Sequence, residues 1–226
     1  MNSSKKSLFV LVCLLGLFAG KPAYSQLGKD TWGITGELML PSGLASKPFR
    51  AYLNGLVNVH PKIVYKPLKN WYVAAGPKYM YYTVSEFKLP VKTRGGMHAF
   101  GGGVEFGYMK WIGEQFAFEV GVKGGGMQHV FQTGLLENPK KLLAAYVEPA
   151  FTFIIAADEA VSYRWTLGYN FMGFQLMPDH LGLNTNGGYT MEEYEVGAQS
   201  LVIGFGMTYY FGNQRSNTFI DDGDEP

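Results

Sequence analysis

After Gln26, large apolar residues fall at every second place in eight separate stretches. Side chains of a strand point alternately to opposite faces, so a period of two marks a strand with one apolar face. The stretches cover about residues 30–40, 51–65, 71–83, 98–111, 115–130, 143–156, 161–176 and 196–211. The fourth is the most regular. Phe100, Val104, Phe106 and Tyr108 share one face, and Ala99, Gly101, Gly103, Glu105 and Gly107 share the other. The fifth repeats the pattern, with Phe116, Phe118, Val120 and Val122 against Ala117, Glu119, Gly121, Lys123 and Gly125. In the second, Pro61 falls on the apolar parity and has no N–H to give a ladder, which predicts a bulge or a break there.

The connections alternate between short and long. Residues 66–70, 112–114 and 157–160 make tight turns, while 41–50, 84–97, 131–141 and 177–195 make longer loops. Short turns at one end and long loops at the other are the habit of outer-membrane barrels, in which an even strand count leaves both chain ends on the periplasmic side. The expected fold is all-β: one closed antiparallel up-and-down transmembrane β-barrel of eight strands.

Alternation alone fits a soluble, lipocalin-like barrel equally well, with its apolar face turned inward. The less apolar face decides the matter. It carries few charges and many small residues, among them Gly101, Gly103, Gly107, Gly121 and Gly125, and makes a poor water-exposed surface. An eight-strand lumen is only just wide enough for side chains to fill it, and glycines there relieve crowding. The opposite face is aromatic and almost free of charge, as lipid requires. By parity the inward charges are Glu37, Lys78, Glu105, Glu119, Lys123, Glu148 and Arg164. In so narrow a space they have to pair. A salt-bridged plug is the expected outcome; an ion path or gate is the sharper alternative. Trp32, Tyr65, Trp71, Tyr72, Tyr81, Tyr82, Trp111 and Trp165 lie where aromatic girdles are expected.

The final stretch adds a resemblance. Leu201, Ile203, Phe205, Met207, Tyr209 and Phe211 alternate with small or polar residues, and Gly206, Tyr209 and Phe211 are similar to the C-terminal strand signal of outer-membrane β-barrels. Gly204 stands where that signal usually has a polar residue. Across residues 27–211 the chain resembles the small OmpA-transmembrane or OmpX-like family of Gram-negative bacteria. The resemblance implies that the barrel-assembly machinery reads Gly206, Tyr209 and Phe211. It also implies residence in the cell outer membrane, among lipid and lipopolysaccharide.

The ends and the composition agree with this picture. Lys5 and Lys6, the apolar run 8–19 and the small-x-small site Ala23-Tyr24-Ser25 predict a cleaved signal peptide over residues 1–25. The one cysteine, Cys13, lies inside it, so the mature chain is expected to have no disulfide or thiol chemistry. Cleavage also removes Lys5, Lys6 and Lys21. That leaves 16 basic and 18 acidic residues, a formal charge of −2 that gives no reason to expect nucleic acid as a partner. Aromatic residues at 15% and 30 glycines are high for a globular chain, and charged residues at 16% are low. A mean hydropathy of −0.02 is too polar for a helical membrane protein. The barrel is expected over residues 26–211. Residues 212–226, ending in Asp221, Asp222, Asp224 and Glu225, are expected to form an acidic periplasmic tail that could dock an envelope protein.

The chain offers little catalytic chemistry. None of His60, His98, His129 and His180 has a serine two places on, the pair that lipid A deacylases would show, and no serine sits in a G-x-S-x-G elbow. Asp179-His180 in the longest loop could activate water as in barrel-type surface proteases, but those need a second acidic pair and a barrel of ten strands. His180 with Glu192, Glu193 or Glu195 could hold a metal only if the loop folded back, and that spacing fits no known site. The glycine runs 101–103 and 124–126 lie inside strands with no helix to follow, so they are not phosphate cradles. Lys140-Lys141 in the third loop could meet anionic lipopolysaccharide. The expectation is a non-enzymatic, structural, adhesive or partner-binding surface barrel without cofactor or metal. A small, porin-like channel or an accessory subunit of an envelope transport complex is the alternative, and a lipid-modifying enzyme a more remote one.

Overall fold

The computed structural model describes residues 32–211 apart from 69, 113–114 and 159. The expected signal peptide and acidic tail lie outside the described residues. Eight antiparallel strands form one closed up-and-down barrel: β1 (Trp32–Gly43), β2 (Leu53–Tyr65), β3 (Trp71–Val84), β4 (Gly95–Ile112), β5 (Phe116–Thr133), β6 (Lys140–Ala156), β7 (Val161–Gln175) and β8 (Gly197–Tyr210). Each strand pairs with its sequence neighbours, and β8 closes on β1 from Gly33↔Tyr210 to Gly43↔Ser200. No helix among the described residues is long and apolar enough to cross a membrane; a barrel crosses with strands.

Three details differ from the sequence expectation. First, β4 and β5 have 18 residues each and pair along their whole length. They outrun the expected stretches at the loop end, because the alternation of Gly95–Met97 and Phe131–Thr133 is softened by small and polar residues. Second, the register of β2 against β3 is the same on both sides of Pro61, from Val59↔Tyr79 to Ile63↔Ala75. The shift lies between Gly55 and Val57 instead. Pro61 points outward and is carried without a slip. Third, part of the first long loop is a helix, α1 (Lys47–Tyr52), which starts on Ser46: its hydroxyl accepts from the Phe49 N–H at 3.3 Å, and Pro48 sits in the first turn. Ala51 and Tyr52 therefore belong to α1 and not to β2. The fourth loop holds a 3-10 turn, Pro178–Leu181, and a short helix, α2 (Met191–Tyr194).

The apolar face lies outside. Ile34, Leu38, Leu40, Ile63, Phe100, Val104, Val120, Val122, Trp165, Leu167, Ile203 and Phe205 are all exposed on the barrel wall. Near the short turns the wall carries paired rings: Trp32 tilted against Tyr65 at 4.5 Å between centroids, and Trp71 stacked on Phe106 at 5.1 Å. Near the loops Tyr81 lies 4.6 Å from the His98 ring. Tyr72, Tyr82 and Trp111 do not belong to these girdles. They occupy inward parity: Tyr72 and Tyr82 are fully buried, and Trp111 is partly buried against the base of the lumen.

Candidate functional site

Glu37, Lys78, Glu105, Glu119, Lys123, Glu148 and Arg164 all point into the lumen, each at most 2% exposed. They occupy the middle storey of the interior. Lys62 joins them, buried to the same degree. Its parity with Asn58 and His60 in β2 was the signal that could have found it. The middle storey thus holds four carboxylates and four cationic side chains, with no net charge; one further buried cation, Lys66, lies over the Tyr210 ring at 3.9 Å, nearer the base.

Glu37 is the hub. Lys62 Nζ donates to its Oε1 and Lys123 Nζ to its Oε2, both at 2.9 Å; Arg164 Nε lies 3.6 Å from Oε1 and His60 Nδ1 3.7 Å from Oε2. Three arms spread from it. Lys62 also donates to Glu105 at 2.5 Å, and Glu105 accepts from the Tyr72 hydroxyl at 2.7 Å. Lys123 also lies 3.3 Å from Glu148, which accepts from Lys78 at 2.5 Å and from the Asn170 amide at 3.1 Å. Arg164 donates to Glu119. One connected network therefore crosses the lumen and ties β1 through β7 together. β8 contributes glycine at that height. A Cβ on Gly206, opposite both Glu37 and Arg164, would lie 2.6 Å from the Gly36 carbonyl oxygen and 3.0 Å from Glu37 Cγ. Gly107 and Gly121 leave similar room for the Tyr72 ring and hydroxyl.

Below the network, toward the short turns, Val64, Tyr72, Ala74, Met109, Ala117 and Ile154 form a small apolar base. Above it lies a much larger apolar core. Strand residues Met80, Met97, Met127, Phe131, Tyr146, Met172 and Phe174 meet Phe49 and Tyr52 of α1, and loop residues Leu89, Leu181, Leu183 and Tyr194 close over them. The sequence reading gave this storey no place, although Met80, Met97, Met127 and Met172 all sit on lumen parity.

The loops above the core are tied to one another. The Tyr52 hydroxyl, held above its ordinary pKa by burial, donates to the Gly187 carbonyl at 3.3 Å. Gly187 has φ +57°, and a Cβ there would lie 2.0 Å from that hydroxyl, so glycine is required on both counts. Lys47 of α1 pairs with Glu193 of α2 at 2.6 Å and holds that carboxyl below its usual pKa. Lys140 pairs with Asp179 at 2.6 Å and lowers the Asp179 pKa.

These contacts also place the catalytic and metal candidates. Asp179 is turned to Lys140. His180 accepts from the Met177 N–H through Nδ1 at 3.2 Å, stacks on Phe131 at 5.0 Å, and is held below its ordinary pKa by burial. Asp179 does not orient His180 as a base. Among the described residues, no group of three His, Cys, Asp or Glu is placed to hold a metal ion. Lys140 is engaged with Asp179, while Lys141 is exposed. Of the residues expected to form the assembly signal, Gly206 faces the lumen and Tyr209 and Phe211 face outward, their ring centroids 5.7 Å apart near the base.

No family model and no curated protein matches this chain. Solved structures do. Neisserial surface protein A aligns over 80% of this chain and 97% of its own, with a TM-score of 0.54 and 12% identity. The N-terminal β-barrel domain of Pseudomonas aeruginosa OprF aligns over 80% and 100%, at 0.44 and 9%. Ail, the attachment invasion locus protein of Yersinia pestis, aligns over 80% and 99%, at 0.46 and 10%. These neighbours are small outer-membrane β-barrels. At such identities the first likeness shows the fold alone, and the other two carry no argument.

Proposed function

We propose that this chain is a non-catalytic outer-membrane barrel of the small OmpA-transmembrane or OmpX-like kind, a scaffold that presents a tied set of outer loops to a partner or surface. The observation that carries the reading is the filled lumen. A charge-balanced network spans its middle, and apolar side chains pack it above and below. A conducting role needs a wetted path, and here the charged groups meant to line one are spent on each other. The outward apolar wall supports insertion in a bilayer, where a charge at mid-depth costs about 2–4 kcal/mol. The loop end is then the surface left for recognition.

The test has two arms, one on the purified barrel and one on cells that express it. Planar-bilayer recordings are expected to show no unitary conductance, in the native protein or in Glu105→Gln. Steady single-channel currents that change with Glu105→Gln would replace this reading with the channel. Deletion of residues 184–189 in the fourth loop is expected to leave the heat-dependent gel shift of a closed barrel intact while abolishing adhesion of expressing cells. Adhesion that survives deletions in every outer loop would overturn loop-mediated recognition.

A further inference from the structure

The barrel wall is not equally knit all round. Ladder pairing between β1 and β2 runs from Trp32↔Tyr65 to Met39↔Asn58 and stops. Yet β1 continues to Gly43 beside β8, and β2 begins at Leu53 beside β3. Three features of the sequence meet at this seam. Pro41 has no N–H to donate. The bulge between Gly55 and Val57 shifts β2. And α1 is seated on Gly43, where a Cβ would lie 3.0 Å from the Phe49 ring and 3.2 Å from Arg50 Cα.

The outcome is a recess of about 550 Å³ on the outer wall, just below the loops. That volume lies in the range of sites that hold small molecules. Its membrane-side wall is apolar, formed by the outward side chains Leu40, Leu201 and Ile203, with Ser42 above them. Its upper edge is cationic, formed by Arg50 and Lys88, both exposed. Other cations of the same loops are spent: Lys47 on Glu193 and Arg94 on Glu86. Arg50 and Lys88 have no ion pair among the described residues, and Glu86, two residues from Lys88, is the acid already held by Arg94.

We infer that this recess is a docking site for one anionic, phosphate-bearing membrane lipid, with its phosphate on Arg50 and Lys88 and an acyl chain on Leu40, Leu201 and Ile203. The charge order matches the bilayer: cations at headgroup height, apolar wall at acyl depth. Around the rim the loop charges are uneven. The first two loops carry Lys47, Arg50, Lys88, Lys92 and Arg94 against Glu86, while the fourth carries Asp179, Glu192, Glu193 and Glu195. An anionic headgroup is thus drawn to the cations of the first two loops and not to the acidic fourth loop. The site rests on the reading of this chain as a membrane barrel.

The test uses the full chain folded in zwitterionic detergent, with native mass spectrometry as readout. The probes are dioleoyl phosphatidylglycerol, dioleoyl phosphatidylcholine and inorganic phosphate. Two cations near a bilayer surface are worth about thirtyfold in retention of the glycerol lipid over the choline lipid. Arg50→Gln/Lys88→Gln is expected to bring the two lipids within about twofold of each other. Lys92→Gln, a cation of the same loop that does not line the recess, is expected to keep the preference. Ser42→Phe fills the apolar part, leaves both cations in place, and is expected to lower retention of both lipids. Equal retention of both lipids by the native barrel, or a preference that survives the double substitution, overturns the site. Full displacement of the lipid by inorganic phosphate overturns the lipid as its occupant. A gel-mobility measurement with and without boiling, on the same samples, separates the two readings. A barrel that shifts but shows no lipid preference sinks the site alone; a chain that never shifts sinks both.

Discussion

The middle and upper storeys of the lumen fill the same narrow tube by opposite means. The middle is built from eight charged side chains, each placed by one partner or several. The upper storey is built from methionines and aromatic rings. A carboxylate buried without its cation is costly, so the charged storey tolerates one arrangement. Methionine has three rotatable bonds and adapts to irregular gaps. That suits the place where four loops of different length have to close over the strands. The contrast teaches that rigidity and accommodation are divided by height: the network ties seven strands together, and the soft core seats the loops.

Substitutions in the two storeys put the contrast to the test. The largest effect is expected from Glu37→Ala. It strips the shared partner from Lys62, Lys123 and Arg164 and leaves buried charge uncompensated, a loss of about 3–5 kcal/mol. Urea unfolding in lipid vesicles, followed by tryptophan emission, reads it directly; a midpoint equal to the native one would mean that the hub is not load-sharing. Met127→Ala in the upper storey is expected to cost about 2–5 kcal/mol as a cavity, and at the lower end if neighbouring methionines relax into the space. Should it cost more than Glu37→Ala, the division by storey is wrong.

A smaller effect comes from overfilling. Gly206→Ala brings a Cβ against the Gly36 carbonyl and Glu37, and is expected to cost about 1–3 kcal/mol. The same substitution also lies in the strand expected to be read by the assembly machinery. Refolding in vitro separates the two effects, since no assembly factor is present there.

The smallest effect concerns the loop latch. His180 has its folded pKa below 6.5 through burial, and Asp179 has its folded pKa below 3.8, mainly through the hydrogen bond from Lys140. Both shifts contribute stability above the unfolded pKa, and both contributions are lost as pH falls through the folded one. Protection of residues 177–183 against hydrogen exchange, corrected for the intrinsic exchange rate at each pH, is therefore expected to fall first below about pH 6.5 and again below about pH 3.8, with the middle strands unchanged. A flat profile in that segment would remove the latch.

Much of the fold was legible because its signal is local. Period-two alternation marked the eight strands, the alternating short and long connections marked their up-and-down order, and the small, sparsely charged composition of one face marked it as inward; seven of the eight charges of the network then followed from parity. Lys62 was equally legible from its alternation with Asn58 and His60. Helix α1 was less so. Ser46 and Pro48 signal a helix start, but six residues are too few for periodicity to announce one. Tyr72 and Tyr82 were misplaced on the girdles because ring residues near strand ends serve either face; parity with Ala74 and Met80 places them inward.

Which groups meet across the lumen is a different kind of question. Parity states that Glu37 and Lys123 point inward; it does not state that they touch, 86 positions apart. That depends on strand tilt and stagger, which bring distant rows to one height only when the sheet closes. The stop in the β1–β2 ladder is of the same kind. Pro41 and Gly55 are visible in the chain, but the recess exists only because the wall around them is continuous and α1 is seated above. Alternation is a property of neighbouring residues and survives in the bare sequence, whereas partnership across the barrel is a property of closure.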